Sequence, residues 1–513
     1  MNRFAELFRR KPLDQLLPPD SHPQRLRRAL GPWQLTALGI GAIVGAGIFS
    51  TVGTAAAGGA NHPGAGPALI LSFVLVAVAC GFAALCYAEF ASMVPAAGSA
   101  YTYAYATLGE LIAWLIGWDL IIEYAIGNVA VAISWSSYFQ ELLRGFGVTI
   151  PSWLGVDYRT AVQCAAKLAD AQAHGGNLAE LGASVLAAAA ALKEAPHFLG
   201  VPIIFNVPAF AIVALITWIL VRGVGESAAW NTAMVVIKLI VIGVFVCVGA
   251  FYVKPENWSP FAPHGFAGVS SGAAIIFFAY IGFDAITTAA EETRNPQRDL
   301  PFGIIASLVA CTVIYIAVAV VLTGMVKWDK LGNSDPLAAA FAVLGKNWIA
   351  GVISVGAVVA TASVLLVFQL GQPRIFFSMA RDGLLPPMAA RLHPKYQTPH
   401  VTTILTGVFV ALFAGVANID EIVELTNIGT LFAFVLVAIG IIILRRTDPQ
   451  RPRAFRTPWV PLVPLLAVGS CVYLMFELPW VTWARFGVWM AIGLVIYFGY
   501  GVTRSRLSRS RGE

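Results

Sequence analysis

Four ionisable side chains lie deep inside long apolar stretches of this sequence. Asp119 and Glu123 are spaced i, i+4 in WDLIIEYAIG, which places both on one face of a helix. Lys238 lies within AMVVIKLIVIGVFV, and Asp284 lies within FFAYIGFDAITT. A charge in the hydrocarbon core of a membrane is costly, so such residues face a cavity, a pathway or a partner. Each is therefore a candidate site residue for a proton, an ion or a polar substrate.

The same residues also have purely structural interpretations. Asp119 would serve equally well as a hydrogen-bonding link between helices. Lys238 lies ten residues beyond Ala228, about 15 Å into the membrane at roughly 1.5 Å per residue. That depth keeps its amine from reaching the interface easily. Lys238 therefore either takes part in transport or forms a permanent buried ion pair with Asp119, Glu123 or Asp284.

The first apolar stretch is unusually rich in glycine. Residues Gly39–Gly53 read GIGAIVGAGIFSTVG. In lipid the backbone N–H and C=O groups must be satisfied within the protein, and glycine is the residue least committed to a helix. Gly41 and Gly45 fit a small-xxx-small packing pattern, but a helix break that frees backbone groups for a polar ligand fits as well. Gly282 beside Asp284 interrupts a later stretch at a matching place, which favours the break.

These residues must be positioned by membrane-spanning helices. Of the 513 residues, 58% are hydrophobic and only 12% are charged, whereas a soluble domain has roughly 25% charged residues. The sequence therefore predicts an all-α integral membrane protein. Twelve apolar runs approach the length of about 20 residues that a span needs. They lie at 33–55, 66–94, 110–140, 205–222, 228–252, 268–290, 301–326, 347–372, 400–416, 419–444, 460–478 and 483–503.

The two glycine interruptions divide the predicted spans into two groups of five, followed by two more. The predicted organisation is a basic N-terminal tail (1–32), a first repeat (33–252), a second repeat (253–444), two further spans (445–503) and a basic C-terminal tail (504–513). An insertion at 141–204 interrupts the first repeat on its outer side. Its Ala/Leu-rich sequence with scattered charges predicts one or two amphipathic helices.

The net charge of +6 reflects membrane topology rather than a nucleic-acid partner. Most of the 33 Lys and Arg residues lie in the tails and in those loops that are cytoplasmic when the N-terminus is inside. We therefore expect a multi-pass protein of the cell membrane with both termini in the cytoplasm. The first span is expected to act as its own insertion signal, and the basic C-terminal tail to contact anionic lipid of the bilayer.

Patterns typical of an enzyme or a metal protein are missing from the sequence. Five of the six cysteines fall in predicted spans, Cys164 lies in the outer insertion, and no CxxC pair is present to hold a metal. Neither GxxxxGK[ST] nor HExxH occurs. We expect no catalytic residues, no metal and no cofactor.

Together these features resemble the amino acid–polyamine–organocation (APC) superfamily, specifically its bacterial cationic amino acid transporter branch. The resemblance runs from about Trp33 to the tenth predicted span. Its motifs are GIGAIVGAGIF (39–49), YAEFASMVPAAGSAYTYAY (87–105), WDLIIEYAIG (118–127), FFAYIGFDAITTAAEETRNPQRDLP (277–301) and RIFFSMARDGLLP (374–386). The resemblance implies a LeuT-like fold: a five-plus-five inverted repeat with two additional helices, in which helices 1 and 6 are discontinuous.

By position, the resemblance also implies a substrate site at the two breaks. The α-carboxylate of an amino acid would lie at the N-terminus of the second half of span 1, where backbone N–H groups and the helix dipole favour an anion. The residues there are Gly45, Ala46 and Gly47. Some relatives have a serine where Ala46 stands, so main-chain donors would act alone here. The α-ammonium would be held by the carbonyls of Ile43, Phe278, Ala279 and Ile281, with the Phe278 ring as an aromatic gate.

Lys238 matches the lysine that occupies the place of a sodium ion in proton-coupled members of the family. Its ammonium would brace the outward-open state against span 1 carbonyls, and loss of its proton to the inside would release that brace. The implied function is proton-coupled import of L-amino acids by alternating access. An amino acid exchanger without net proton coupling and a transporter-like amino acid sensor are the alternatives.

The substrate preference depends on the groups that line the pocket. A cationic side chain needs a carboxylate there, which Glu123 or Asp284 would supply. Phe368, which we expect to face the pocket from span 8, is bulky and favours a smaller neutral amino acid. We therefore expect neutral, broad-range uptake slightly ahead of cationic uptake.

Overall fold

The computed structural model of this chain describes residues 7–12, 30–59, 62–93, 99–173, 183–222, 228–396 and 398–509. Most of the predicted N-terminal tail (1–32) lies outside the described residues. So do residues 94–98 of the second motif, 174–182 of the predicted insertion and 510–513 of the C-terminal tail. The described chain is mainly helical. A helix satisfies its backbone hydrogen bonds within one segment, as the hydrocarbon core of a membrane requires.

The first half of the chain supplies the helices up to residue 249. They are α1 (Pro32–Ile43), α2 (Val52–Ala57), α3 (Leu69–Met93), α4 (Ser99–Thr107), α5 (Glu110–Ile121), α6 (Gly127–Gly145), α7 (Tyr158–Ala173), α8 (Ala183–Glu194), α9 (Val207–Arg222) and α10 (Ala228–Gly249). Wider π-helical turns at Gly47–Thr51 and Ile122–Ile126 lead into α2 and α6. Short 3-10 turns lie at Gly66–Ala68, Ser152–Leu154, Ala250–Tyr252 and Pro255–Trp258.

The second half begins with a helix that stops at mid-length. Its helices are α11 (Gly265–Ile276), α12 (Pro296–Met325), α13 (Pro336–Val343), α14 (Asn347–Arg381), α15 (His400–Val416), α16 (Ile419–Thr447), α17 (Leu462–Phe476), α18 (Trp480–Ile496), α19 (Val502–Arg504) and α20 (Arg506–Arg509). The 3-10 segments are Phe277–Tyr280, Asp284–Glu292, Trp328–Lys330 and Pro387–Ala390, and a π-turn spans Tyr497–Gly501.

The strands form two small antiparallel hairpins in loops. β1 (Gly58–Gly59) pairs with β2 (His62–Pro63), with Gly59 opposite His62. β3 (His197–Phe198) pairs with β4 (Val201–Pro202), with Phe198 opposite Val201.

The lengths of the helices support a multi-pass membrane protein. Among the described residues, 8 helices are long and apolar enough to cross a membrane, and a ninth span results if the bent pair α1 and Gly47–Ala57 is counted as one. Three further apolar helices are shorter: α9 has 16 residues, α15 has 17 and α17 has 15. Each of the twelve predicted apolar runs overlaps a helix, and the count of twelve membrane spans remains a prediction.

One element boundary differs from that predicted. The eighth predicted span ends at residue 372, and we expected the RIFFSMARDGLLP motif to form a separate interfacial helix, but α14 continues without a break to Arg381. Pro373 lies inside α14, as Pro301 does inside α12. A proline removes one backbone hydrogen bond, yet both helices continue through these buried positions.

The site described below is held between the longest helices. α12 packs against α3 and α1, and α14 packs against α6 and α10. The predicted insertion contains α7 and α8, which pack on each other.

A buried ionic cluster ties α3 to the loop between α16 and α17. Glu89 is fully buried and accepts two hydrogen bonds from the Arg445 guanidinium, at 2.7 and 2.9 Å. Arg453 donates a further bond at 3.0 Å, and the backbone N–H of Thr457 donates at 2.8 Å. The paired geometry satisfies the carboxylate and offsets the cost of taking it out of water.

Candidate functional site

The first apolar stretch does break. α1 ends at Ile43, Val44 adopts an extended conformation (φ −77°, ψ 95°), and the chain resumes as the π-turn at Gly47 after a bend of 42°. The N–H of Val44 donates to Ile40 at 2.9 Å and closes α1, while the N–H of Phe49 donates to Gly45 at 3.2 Å and opens the next turn. The backbone N–H groups of the residues between Val44 and Phe49 belong to the first turn of the next helix. N–H groups in a first turn have no carbonyl partner within their own helix.

The second predicted break is also observed. α11 ends at Ile276, the turn Phe277–Tyr280 follows, and Ile281 is extended (φ −61°, ψ 137°). Gly282 has φ 114°, a conformation that other residues rarely adopt. A Cβ at this position would lie 3.0 Å from the carbonyl oxygen of Ala42, so glycine also allows this break to approach the end of α1.

The two breaks pack directly on each other. A Cβ on Gly47 would lie 2.2 Å from the Cα of Ala279, and a Cβ on Gly45 would lie 2.7 Å from Cγ2 of Val364 in α14. Thus the glycines of the first break serve close packing as well as the break itself. Of the predicted site residues, this contact brings together Gly47 and Ala279, and the buried Ala46 lies directly before Gly47 in the chain.

Tyr315, in α12, links the two breaks and was missed by the sequence analysis. Its hydroxyl lies 2.9 Å from the carbonyl oxygen of Ile43 and 2.9 Å from that of Ala279. These are two of the carbonyls predicted for the substrate ammonium. The sequence did contain one indication of this role, a single tyrosine within an apolar run. A buried tyrosine hydroxyl usually finds a hydrogen-bond partner.

Lys238 lies against the first break from α10. Its Nζ donates to the carbonyl of Gly41 at 2.5 Å and to that of Val44 at 3.0 Å, and the residue is fully buried. The alternative of a permanent ion pair was wrong, because no salt bridge joins Lys238 to a carboxylate among the described residues. The reason is geometric: the break leaves carbonyl oxygens unpaired at the end of α1, and these provide acceptors for the ammonium.

The three buried carboxyl groups form a separate cluster. Asp119, Glu123 and Asp284 are each at most 2% exposed. Glu123 lies near Asp284, and the Tyr124 hydroxyl lies 3.5 Å from Asp284 Oδ2.

Asp119 lies beside α16. Its Oδ1 atom lies 2.8 Å from where a Cβ of Gly429 would be. That oxygen has no hydrogen-bond partner among the described residues. The close approach explains why glycine occupies this position in α16.

The aromatic residues predicted for the pocket lie on different elements. Phe368 of α14 is 3% exposed, and its ring centroid lies 5.5 Å from that of Tyr124. Its Cε2 atom lies 3.7 Å from a Cβ built on Gly127 of α6. Phe278 and Ile281 are also buried, at 5% and 3% exposure, in the broken segment of the second half.

Asn427 of α16 is a further residue whose role only the fold reveals. Its Nδ2 donates to the carbonyls of Ala274 at 2.7 Å and Ile275 at 3.3 Å. These carbonyls belong to the last turn of α11, where helical partners are lacking. Asn427 thereby satisfies the end of α11 just before the break.

The fold and this centre define a polytopic helical membrane protein of the transporter class, in which two interrupted helices meet. The chain belongs to the amino acid permease family, whose family model matches residues 30–499. It is therefore an APC permease, as the motifs indicated, and not an enzyme.

The chain is similar over almost its whole length to transporters from several organisms. It is 45% identical over 506 residues to the branched-chain amino acid permease BcaP of Bacillus subtilis (strain 168), covering 98% of this chain and 100% of that protein. It is also 45% identical over 506 residues to the methylthioribose transporter of the same organism, covering 99% and 100%. Cationic amino acid transporter 9, chloroplastic, of Arabidopsis thaliana is 36% identical over 470 residues, covering 89% and 75%.

Proposed function

We propose that this protein imports L-amino acids across the cytoplasmic membrane by proton symport with alternating access. The observation that carries the proposal is the contact of Lys238 with the carbonyls of Gly41 and Val44 at the first helix break. An ammonium in that place stabilises the bent segment while it is protonated. Proton release would then favour the other conformation, because a ligand shifts an equilibrium by its differential affinity for the two states.

The proposed architecture is a LeuT-like five-plus-five inverted repeat of twelve spans with both termini in the cytoplasm. The proposed substrate site comprises the amides of Gly45, Ala46 and Gly47 for the carboxylate, and carbonyls of the two breaks for the ammonium. The hydroxyl of Tyr315 lies within hydrogen-bonding distance of the carbonyl oxygens of Ile43 and Ala279. We therefore propose that a bound ammonium either displaces this hydroxyl or uses the carbonyls of Phe278 and Ile281.

We propose a neutral amino acid as the substrate. Phe368 narrows the space beside Tyr124. The similarity to a protein named as a branched-chain amino acid permease agrees with an aliphatic substrate.

A second candidate substrate is methylthioribose, because the relative named for it is as similar as the amino acid permease. Methylthioribose is a thioether of a sugar and has neither a carboxylate nor an ammonium group. It would bind through hydroxyl groups and would not need the free amides of the first break. The two candidates therefore differ in which polar groups of the site they use.

Thermal-shift measurements on the purified protein test the substrate first. A ligand that binds the folded state raises the melting temperature. Branched-chain amino acids are expected to raise it, and methylthioribose and arginine are not. A shift with methylthioribose alone would replace the proposed substrate.

Uptake into proteoliposomes tests the coupling. An acidic outside is expected to drive accumulation of the amino acid. Counterflow that requires internal amino acid, with no response to a pH gradient, would identify an exchanger. Binding without any flux would identify a sensor.

A further inference from the structure

A cavity lies between the first break and the predicted outer surface. Its volume is about 220 Å³, room for roughly 15 water molecules at about 15 Å³ each. It is lined by the π-turn at Gly47–Thr51, by α6, by α7 of the insertion, by the loop before α13 and by the start of α16. We call this space the outer vestibule.

The floor of the outer vestibule adjoins the proposed substrate site. Thr51 lines the cavity, and its hydroxyl donates to the carbonyl of Gly47 at 2.7 Å. Ser50 donates to the carbonyl of Ser334 at 2.6 Å and lies 2.6 Å from the hydroxyl of Ser134 in α6. These hydrogen bonds join three elements and close the floor between the vestibule and the centre.

The roof of the outer vestibule is α7. Asp157 caps the start of this helix by accepting from the N–H of Thr160 at 2.9 Å, and the Thr160 hydroxyl accepts from Asn418 at 2.9 Å. Burial raises the pKa of Asp157, and the hydrogen bonds from Thr160 oppose that shift. Arg159 pairs with Glu421 at the start of α16. The insertion is thus fixed over the cavity by polar contacts at the beginning of α16.

Groups of both charge signs line the vestibule. Asp420 contributes a carboxylate, whose Oδ1 lies 3.5 Å from the Thr54 hydroxyl. Lys167 contributes an ammonium, whose Nζ lies 3.3 Å from the carbonyl of Gly332. A zwitterion presents one ammonium and one carboxylate, and therefore offers a group of opposite charge to each of these side chains. A simple cation or anion would offer such a group to only one of them.

We propose that the outer vestibule is a second binding site for a zwitterionic amino acid, which is held beneath α7 between Asp420 and Lys167 before it passes the Ser50 floor. The insertion then forms the roof of a substrate site, a role that the helical sequence of 141–204 did not indicate. This inference rests on the proposed function, because it assumes that amino acids cross from this face.

Cys164 provides a reporter for the test. It lines the vestibule, whereas Cys247 is exposed on α10 and the other cysteines are buried elsewhere. Proteoliposomes or intact cells are treated with the membrane-impermeant cationic thiol reagent MTSET, with and without L-leucine. Modification of Cys164 is expected to block uptake, and L-leucine is expected to slow the modification. The Cys164→Ser variant corrects for reaction at Cys247.

Three further variants separate the vestibule from the central site. In Gly47→Ala, checked for folding by size-exclusion chromatography, uptake is expected to fail, while mass spectrometry of the labelled protein still shows that L-leucine slows modification of Cys164. Asp420→Asn and Lys167→Gln are each expected to raise the half-protecting concentration about tenfold, the loss that corresponds to ~1.4 kcal/mol. Lys193→Gln is the matched control, because Lys193 is exposed on α8 and does not line the cavity.

The outcomes distinguish the inference from the function on which it rests. Loss of protection in Gly47→Ala would assign the protection to the central site and overturn the vestibule site. Equal protection in Asp420→Asn, Lys167→Gln and Lys193→Gln would overturn it as well. Failure of the unmodified protein to transport any amino acid would overturn the proposed function instead.

Discussion

The Nζ atom of Lys238 lies 2.5 Å from the carbonyl oxygen of Gly41, across 197 residues of sequence. This contact joins α10 to the end of α1, where the helix has stopped and its last carbonyls lack helical partners. A single ammonium therefore stabilises the bent form of a membrane helix. Under the proposed function, the bend responds to the protonation of this one side chain.

Replacement of this amine is expected to abolish proton-driven accumulation. In Lys238→Met the carbonyls of Gly41 and Val44 lose their donor, and no proton is bound or released at this position. Uptake driven by an acidic exterior should fall to the level of a liposome without a gradient, while exchange of internal for external substrate persists. Lys254→Met, at an exposed position beyond the same helix, should be unaffected. Gradient-driven uptake by Lys238→Met would contradict the proposed coupling.

A methyl group at Gly47 is expected to abolish substrate binding at the central site. Its Cβ would lie 2.2 Å from the Cα of Ala279, a backbone atom that cannot move aside without separating the two breaks. Overpacking of this kind costs about 1–3 kcal/mol. Isothermal titration of Gly47→Ala should lose the binding event of the central site and retain only that of the outer vestibule. Gly81→Ala, in α3, has nothing within 4 Å of the added methyl and should bind normally; a similar loss there would argue against a site-specific effect.

Removal of the Tyr315 hydroxyl is expected to change apparent affinity more than turnover. Tyr315→Phe frees the carbonyls of Ile43 and Ala279, at a cost of about 1 kcal/mol per hydrogen bond lost. The KM for uptake should shift about fivefold or more with little change in expression. Tyr280→Phe is a matched control, because its hydroxyl donates instead to Phe73 at 3.2 Å, in α3. Equal effects of both substitutions would contradict a specific role for Tyr315.

A smaller side chain at Phe368 is expected to admit larger substrates. Phe368→Leu opens space beside Tyr124 and Gly127. Competition assays should show inhibition by phenylalanine or tryptophan strengthened about tenfold relative to valine. Phe409→Leu, where the ring packs on Phe413 at 4.5 Å, is the control and should leave the ranking unchanged. An unchanged ranking in Phe368→Leu would place this ring outside the substrate pocket.

Neutralisation of Glu89 is expected to destabilise the protein without altering selectivity. Glu89→Gln leaves the guanidinium groups of Arg445 and Arg453 without their buried carboxylate. Breaking a buried ion pair from one side costs about 3–5 kcal/mol. The apparent melting temperature in detergent should fall, and the ranking of substrates should stay the same. Glu256→Gln, at an exposed position, should melt as the unmodified protein does.

Much of the centre of this protein can be predicted from local sequence. The break at Val44 and the break at Gly282 follow from glycine-rich segments inside apolar runs, since glycine tolerates the backbone conformations that a break needs. The motifs around these segments also identify the family. Local composition determines where helices span and where they cannot continue, because both depend on neighbouring residues.

The partners of the buried polar groups were decided only by the tertiary structure. Lys238 contacts backbone carbonyls and not one of the carboxylates that sequence reasoning offered, and Glu123 lies against Asp284 instead. Tyr315 bridges two breaks, although its sequence context is an ordinary apolar helix.

The outer vestibule likewise has no counterpart in the pattern of the sequence. α7 covers the cavity through contacts with the start of α16, as in the pairing of Arg159 with Glu421. Apolar periodicity fixes which segments enter the membrane, because burial in lipid is a property of each segment by itself. Hydrogen-bond partners depend on how the segments are packed together, and that information is held only by the assembled fold.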